Sequence, residues 1–210
     1  MEKAVGGTLR VPAEVEILKT ESGIRLDLAL VHHPVYNKNG ETIGSAVTNL
    51  DLHDIARASR TYGVDTYYIV TPFEDQQVLV QDIVDHWLKG HGAVYNGKRG
   101  EALSLIRICQ DLPALYAEVE KKWGERPTVL VTSAREMGNV WSFDAVRQGL
   151  REGGCFLILF GTAWGIAPEV LHDVDGQLPS LKGAGNYNHL SVRSAAAIVL
   201  DRLLSNSGEN

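Results

Sequence analysis

Three basic side chains lie on one face of a predicted helix whose start Thr48 and Asp51 would cap, each by accepting a free amide. His53, Arg57 and Arg60 recur at i, i+4 and i+7, a spacing that places them on one side of an α-helix. The planar guanidinium fork suits phosphate oxygens, so this basic stripe is a candidate contact for phosphate or ribose. The alternative is an ordinary solvated face on which Asp54 pairs with Arg57 at i+3. Taken alone, the spacing favours the solvated face.

A second candidate site follows the apolar run CFLILF at 155–160, which leads directly into GTAWGIAPEV. Gly161 and Gly165 would let the backbone approach a ligand closely, at the strand end where open α/β sheets bind ligands. Trp164 between them is either a stacking surface for a base or a packing anchor. The chain has neither G-x-G-x-x-G nor a Walker lysine here, which disfavours a dinucleotide or a nucleoside triphosphate.

The third candidate segment is LKGAGNYNHLSVRSAAAIVLDRLL at 181–204. Its glycine- and asparagine-rich loop leads into a predicted helix that Ser191 caps. This helix is apolar on almost every side until Asp201 and Arg202. We therefore expect it to be buried, either in the core or at a subunit contact.

Short β-branched runs alternate with helical periodicity along the chain, which predicts an α/β fold with a parallel sheet flanked by helices. The predicted strands are Leu26 to His32, Thr66 to Val70, Thr128 to Thr132 and Cys155 to Phe160. The predicted helices are Asp51 to Tyr62, Asp75 to Lys89, Glu101 to Trp123 with a break near Pro113, Phe143 to Glu152 and Val192 to Leu204.

Length and composition indicate one main globular domain. The 210 residues are 44% hydrophobic and 22% charged, enough for a substantial core. We expect an N-terminal extension over 1–24, the main domain over 25–205 and a flexible tail over 206–210. The net charge of −6 restricts any nucleic-acid contact to a local basic patch.

Several other patterns indicate structure rather than chemistry. No stretch is apolar enough to span a membrane or to act as a secretory signal, so we expect a cytoplasmic protein. Cys109, in an apolar helix-like stretch, and Cys155 are interpreted as buried free thiols. Adjacent His32 and His33 would point to opposite faces of a strand, so no metal site is predicted. The charged run around Lys121 and Lys122 is interpreted as solvated surface.

Taken in order, the three candidate segments resemble the motifs of the SPOUT superfamily of methyltransferases. DLHDIARASRTYGV is similar to the first motif, with Arg57 at the position of its arginine and Gly63 at its closing glycine. FGTAWGI is similar to the second motif and HLSVRSAAAIVL to the third. LFGTAWG together with YNHLSVRSAAAIVLDRL looks like a little-characterised branch that is sometimes fused to a tRNA guanine methyltransferase.

This resemblance implies a trefoil knot near the C-terminus and a homodimer formed through the knot and the last helix. It also implies S-adenosylmethionine as the methyl donor, bound by three loops, and an RNA acceptor, most commonly tRNA and otherwise rRNA. The implied cofactor-binding residues are Thr132, Ser133, Phe160, Gly161, Thr162, Gly165, Ile166, Asn188, Leu190 and Val192. The implied RNA contacts are His53, Arg57, Arg60 and Arg135, and the implied catalytic residues are Arg57, Ser191 and Arg193.

The sequence departs from the motifs of the ribose-methylating members at two positions. Ala163 stands where those members usually have glutamate, and Ser191 where they usually have asparagine. The acceptor is therefore either a ribose 2′-oxygen or a base nitrogen. Two other functions remain open. One is a catalytically weak module that binds the cofactor or a nucleotide and associates with RNA. The other is a flavodoxin-like or nucleotide-binding domain, although no phosphate-cradling glycines follow the first strand.

Overall fold

The computed structural model describes residues 23–134, 138–185 and 187–205. Arg135, the predicted tail and all but the last two residues of the predicted N-terminal extension lie outside these ranges. The strands are β1 Leu26–Val31, β2 Val35–Tyr36, β3 Thr42–Ile43, β4 Thr66–Val70, β5 Ile106–Cys109, β6 Thr128–Val131, β7 Phe156–Gly161 and β8 Gly176–Gln177. The helices are α1 Asn49–Tyr62, α2 Glu74–Leu88, α3 His91–Tyr95, α4 Gly97–Leu103, α5 Leu112–Trp123, α6 Phe143–Arg151 and α7 Val192–Leu204, and a 3-10 turn covers Pro168–Asp173.

Six strands form one sheet in the order β5-β4-β1-β7-β6-β8, and each neighbouring pair is parallel. The central strands are almost entirely buried, as is typical of a parallel sheet with helices on both faces. One face packs against α1, α2, α4, α6 and α7, and the other against α5 and the 3-10 turn. The predicted sheet flanked by helices is confirmed.

One predicted helix is wrong. The segment from Glu101 to Trp123 contains the end of α4, the edge strand β5 and then α5. Cys109 thus lies in a strand, although both cysteines are buried and free as predicted. Asp111 caps α5 by accepting the backbone N–H of Ala114, with Pro113 in the first helical turn. The break that Pro113 indicates is therefore the start of a new helix.

Of the helices that flank the candidate site, α7 begins at Val192 as predicted, and α1 begins at Asn49, two residues before the predicted start. Thr48 accepts the amide of Asp51 at the start of α1, and Ser191 accepts the amide of Ser194 at the start of α7. The apolar face of α7 is used in the core, where Ala196, Val199 and Leu200 are buried. Within the described residues, no helix is both long and apolar enough to cross a membrane.

Candidate active site

The loops that the sequence singles out leave the same edge of the sheet. Because β1, β7 and β6 are parallel neighbours, their carboxyl ends lie side by side. His32 follows β1, Thr162 follows β7 and Thr132 follows β6. Polar groups that are distant in sequence therefore meet at the edge where parallel sheets usually bind ligands.

The turn after β7 has a backbone that requires glycine. The amide of Gly165 donates to the carbonyl of Thr162 at 2.9 Å, and Gly165 has a φ of 124°. A β-carbon at Gly165 would lie 3.1 Å from the ring of Tyr36. Ala163 also has a positive φ, 52°, which is unusual for a residue with a side chain. This geometry leaves Trp164 exposed at the tip of the turn.

A short antiparallel contact ties this turn to the strand β2. The amide of Tyr36 donates to Gly165 and the amide of Ala167 donates to Pro34, both at 3.1 Å. Ile166 lies between these two hydrogen bonds, opposite Val35. Its N–H has no acceptor within the described ranges, and the residue as a whole is only 7% exposed. An unpaired backbone donor in a nearly buried residue is a suitable partner for a polar atom of a bound ligand.

A hydroxyl network connects the turn to the end of β1. The Thr162 hydroxyl lies 2.9 Å from the carbonyl of Val31 and 2.5 Å from the Ser45 hydroxyl. The Ser45 hydroxyl in turn lies 3.0 Å from Nδ1 of His32. This network joins β1, the segment before α1 and the second motif into one unit.

His32 is completely buried, and its Nε2 has no hydrogen-bond partner among the described residues. Burial lowers the pKa of His32 to about 4, despite the opposing effect of the Asp51 carboxylate. The imidazole is therefore neutral at pH 7 and contributes a fixed hydrogen-bonding group to the network. The sequence marks His32 only as a strand-end histidine, and no motif identifies Ser45.

His32→Gln should make the free energy of unfolding less sensitive to acid. The unfolded histidine takes up a proton near pH 6.5, whereas the folded one resists protonation down to about pH 4. Wild-type stability should therefore fall by about 3 kcal/mol more than that of the variant between pH 7 and pH 4. Urea unfolding at several pH values measures the difference. Parallel pH profiles for the two proteins would contradict the assignment.

The three residues of the basic stripe differ in their contacts. Arg60 is held by Glu101 of α4, with its Nε 2.8 Å from the carboxylate. Arg57 is exposed, and its guanidinium has no partner within the part of the chain that is described. The ring of His53 meets that of Trp87 edge to face. The pairing of Asp54 with Arg57, considered from the helix spacing, is not observed, since Asp54 binds Arg193 instead.

Arg193 joins the first and third motifs. Its guanidinium lies 3.1 Å from the carboxylate of Asp51 and 3.4 Å from that of Asp54. Asp51 and Arg193 are 142 positions apart in the sequence. Helix spacing assigns Asp51 only a capping role, so no local signal predicts this contact.

The other predicted cofactor residues differ in their surroundings. Phe160 is buried in the core, so only its backbone could face a ligand. The Thr132 hydroxyl donates to the carbonyl of Leu159 at 3.2 Å. Asn188 and Leu190 are exposed in the loop before α7, where Tyr187 is also uncovered. Neither the groove between α1, α2 and α4 nor the groove between α5 and the 3-10 turn is lined by any of these residues.

Known proteins resemble this chain in sequence and in fold. The sequence model of the SAM-dependent RNA methyltransferase family matches residues 25–205. The chain is 46% identical over 185 residues to the tRNA (guanine-N(1)-)-methyltransferase of Oleidesulfovibrio alaskensis. That match covers 88% of this chain and 43% of the relative, so the chain spans less than half the length of that protein.

Two solved structures share the fold at low sequence identity. A putative methylase family protein from Neisseria gonorrhoeae superimposes with a TM-score of 0.58 at 15% identity, covering 90% of this chain and 85% of the other. The SpoU methyltransferase AviRb from Streptomyces viridochromogenes, solved in complex with AdoMet, gives 0.55 at 13% identity, covering 89% and 59%. With its six-stranded parallel sheet and its family match over nearly the whole described region, the chain belongs to the SAM-dependent RNA methyltransferase family.

Proposed function

We propose that this chain transfers the methyl group of S-adenosylmethionine to RNA, with tRNA as the favoured acceptor and rRNA as the alternative. The observation that carries the proposal is the contact of Arg193 with Asp51 and Asp54. It places the start of α7 beside the first turn of α1, and Asp54 precedes Arg57 by only three residues on that helix. Arg57 lies one turn further along α1, with an exposed guanidinium that can meet an incoming nucleotide.

The loop residues are suited to an adenosyl cofactor. The unpaired N–H of Ile166 offers a hydrogen-bond donor, and Leu190 offers exposed apolar surface. Gly161 allows the turn to pack closely, because a β-carbon there would lie 2.7 Å from the nitrogen of Ile166. S-adenosylmethionine supplies an activated methyl group on a positively charged sulfur. This chain would hold the acceptor in line with the carbon–sulfur bond, and alignment of this kind accounts for much of the rate of such transfers.

Methyl transfer forms a bond from the acceptor atom to carbon and breaks the carbon–sulfur bond, whose electron pair stays on sulfur. The acceptor's proton passes to a base or to solvent. We assign Arg57 to stabilising the acceptor's developing charge or orienting its phosphate. Arg193 holds α1 in place and Ser191 caps α7, and both adjoin the reacting groups in this proposal. His53, Ser191 and Asn188 are the weaker candidates for the base.

The assembly and location follow from the same family resemblance. We propose a homodimer formed through a knotted C-terminal region, in the cytoplasm. Trp164, Tyr187 and Leu190 are exposed beside the cofactor loops, and a second copy could cover them. The catalytically weak alternative is favoured by one observation, that Ala163 and Ser191 replace residues usual in ribose-methylating members.

Gly165→Ala should weaken the binding of S-adenosylhomocysteine at least about tenfold, because a side chain at a φ of 124° strains the turn by about 1–3 kcal/mol. Isothermal titration calorimetry measures the affinity. Gly124→Ala is the matched control, since Gly124 also has a positive φ, 75°, but caps α5 at the opposite end of the sheet. Equal affinities for the two variants would argue against a cofactor site at this turn.

Transfer of tritiated methyl groups to tRNA from cells that lack this protein tests the activity itself. Incorporation by the wild-type protein, with the methylated nucleoside identified by digestion, would establish the acceptor. Tight binding of S-adenosylhomocysteine without transfer to either tRNA or rRNA would favour the binding module over the enzyme.

A further inference from the structure

We propose that the groove between α1, α2 and α4 binds one phosphate and the adjoining nucleoside of the RNA strand, outside the cofactor loops. This inference rests on the proposed RNA substrate and assigns part of its recognition to Arg99 and Trp87. Neither residue belongs to the three motifs.

The groove has a volume of about 560 Å³ and opens on the side of the molecule that carries the basic stripe. His53 and Arg57 line it from α1, His86 and Trp87 from α2, and Arg99 from α4. Three separate helices therefore bring two arginines, two histidines and an indole to one concave surface. Arginine together with aromatic side chains is a common composition for sites that bind single-stranded RNA.

Both arginines are available for an anion. Arg57 is exposed and has no partner within the described ranges. The guanidinium carbon of Arg99 lies 4.7 Å from the centre of the Trp87 ring. The N–H groups of this guanidinium have no hydrogen-bond acceptor among the described residues. Stacking on the indole fixes the guanidinium while leaving its donors unused. A phosphate, which accepts two parallel hydrogen bonds from such a fork, fits this arrangement.

The charge balance of the groove favours an anion, in contrast to that of the whole chain. Two carboxylates line it, Asp54 and Asp82. Asp54 is already paired with Arg193 from α7, which leaves Asp82 against Arg57 and Arg99. The groove is therefore locally positive on a chain of net charge −6, and the local field is what steers a nucleic acid.

His53 supplies the second reason to expect a ligand. Its Nδ1 is shielded from solvent and has no hydrogen-bond partner within the part of the chain that is described. Burial lowers the pKa of His53, and the nearby positive charges of Arg99 and Arg57 add to the effect. The neutral imidazole lines the groove, and because Nδ1 is shielded, Nε2 is the ring nitrogen that can bond to a ribose hydroxyl or a base edge.

The location of the groove connects it with the proposed reaction. Arg57 lines the groove, and Arg193 at the start of α7 binds Asp54 on its rim. A strand that enters the cofactor site past Arg57 would thus place a neighbouring nucleotide against Arg99. Arg99 and Trp87 would act on affinity and register, not on the methyl transfer step.

Filter binding of bulk tRNA to the 210-residue chain tests this inference over a range of KCl concentrations. Arg99→Gln should weaken binding about five- to tenfold and reduce the slope of log affinity against log salt by about 0.7, the loss of one phosphate contact. Lys98→Gln is the matched control, because it removes the same charge from the neighbouring exposed position of α4, outside the groove lining. It should change the affinity by less than about twofold.

Thermal unfolding of each variant checks that the fold persists, and Arg99→Lys provides a second variant that keeps the charge but loses the planar fork. Arg99→Lys should recover only part of the affinity. Equal losses for Arg99→Gln and Lys98→Gln, or wild-type affinity for both, would overturn the groove assignment. Either result would leave the proposed function standing, because S-adenosylhomocysteine binding and methyl transfer test that function separately.

Discussion

Replacing Arg57 with alanine should reduce methyl transfer to RNA by about a hundredfold or more, while leaving the affinity for S-adenosylhomocysteine within about twofold. The guanidinium is exposed and has no structural partner among the described residues, so its removal leaves no buried group unpaired. The loss should fall on acceptor positioning or charge stabilisation, which operate after the cofactor has bound. A tritium-transfer assay and calorimetry with S-adenosylhomocysteine measure the two effects separately.

Two further variants test whether the loss is specific to the guanidinium of Arg57. Lys89→Ala removes another exposed positive charge, whose one ion pair among the described residues is with Asp85 near the end of α2, and it should leave transfer near the wild-type rate. Arg57→Lys keeps the charge without the fork and should be intermediate. If Arg57→Ala lost cofactor binding and transfer in equal measure, or lost neither, Arg57 would not have the role proposed here.

Lys122→Met should lower the free energy of unfolding by about 4 kcal/mol, because it leaves the buried carboxylate of Asp27 without its counter-ion. Asp27 lies within β1 and is completely buried, and its carboxylate is 2.5 Å from the Lys122 ammonium. The same ammonium lies 2.8 Å from Asp65. Urea unfolding at pH 7 measures the loss.

A double variant that also removes the charge of Asp27 separates the loss of the ion pair from the loss of Lys122 packing. Asp27 also accepts the indole N–H of Trp123 at 2.8 Å, a hydrogen bond that an asparagine oxygen can still accept. Adding Asp27→Asn to Lys122→Met should therefore recover much of the stability. Lys121→Met, one residue earlier on the exposed side of α5, should change it by less than about 0.5 kcal/mol. Similar losses for Lys121→Met and Lys122→Met would refute the buried-pair explanation.

The sequence by itself determines most of the local structure of this protein. The bounds of β4 and α7 coincide with the predicted ones, and both predicted caps, at Thr48 and Ser191, are present. These features depend on hydrophobic periodicity and on hydrogen bonds that span three or four residues, and both are set by residues close together in the sequence. The strand β5 was missed for the same reason, because four residues between two helices carry too little periodicity to be recognised.

Only the tertiary structure decides which of these elements share charges and hydrogen bonds. Lys122 looks like surface in the sequence and is a partner of a buried carboxylate in the fold. Arg193 contacts Asp51, which is 142 residues away in the sequence, and Thr162 contacts Ser45, which is 117 residues away. These contacts arise because parallel strand order brings distant strand ends to one edge of the sheet, and that order is set by packing of the whole chain. The motifs therefore indicate a family from the sequence, while the environment of each of their side chains comes from the fold.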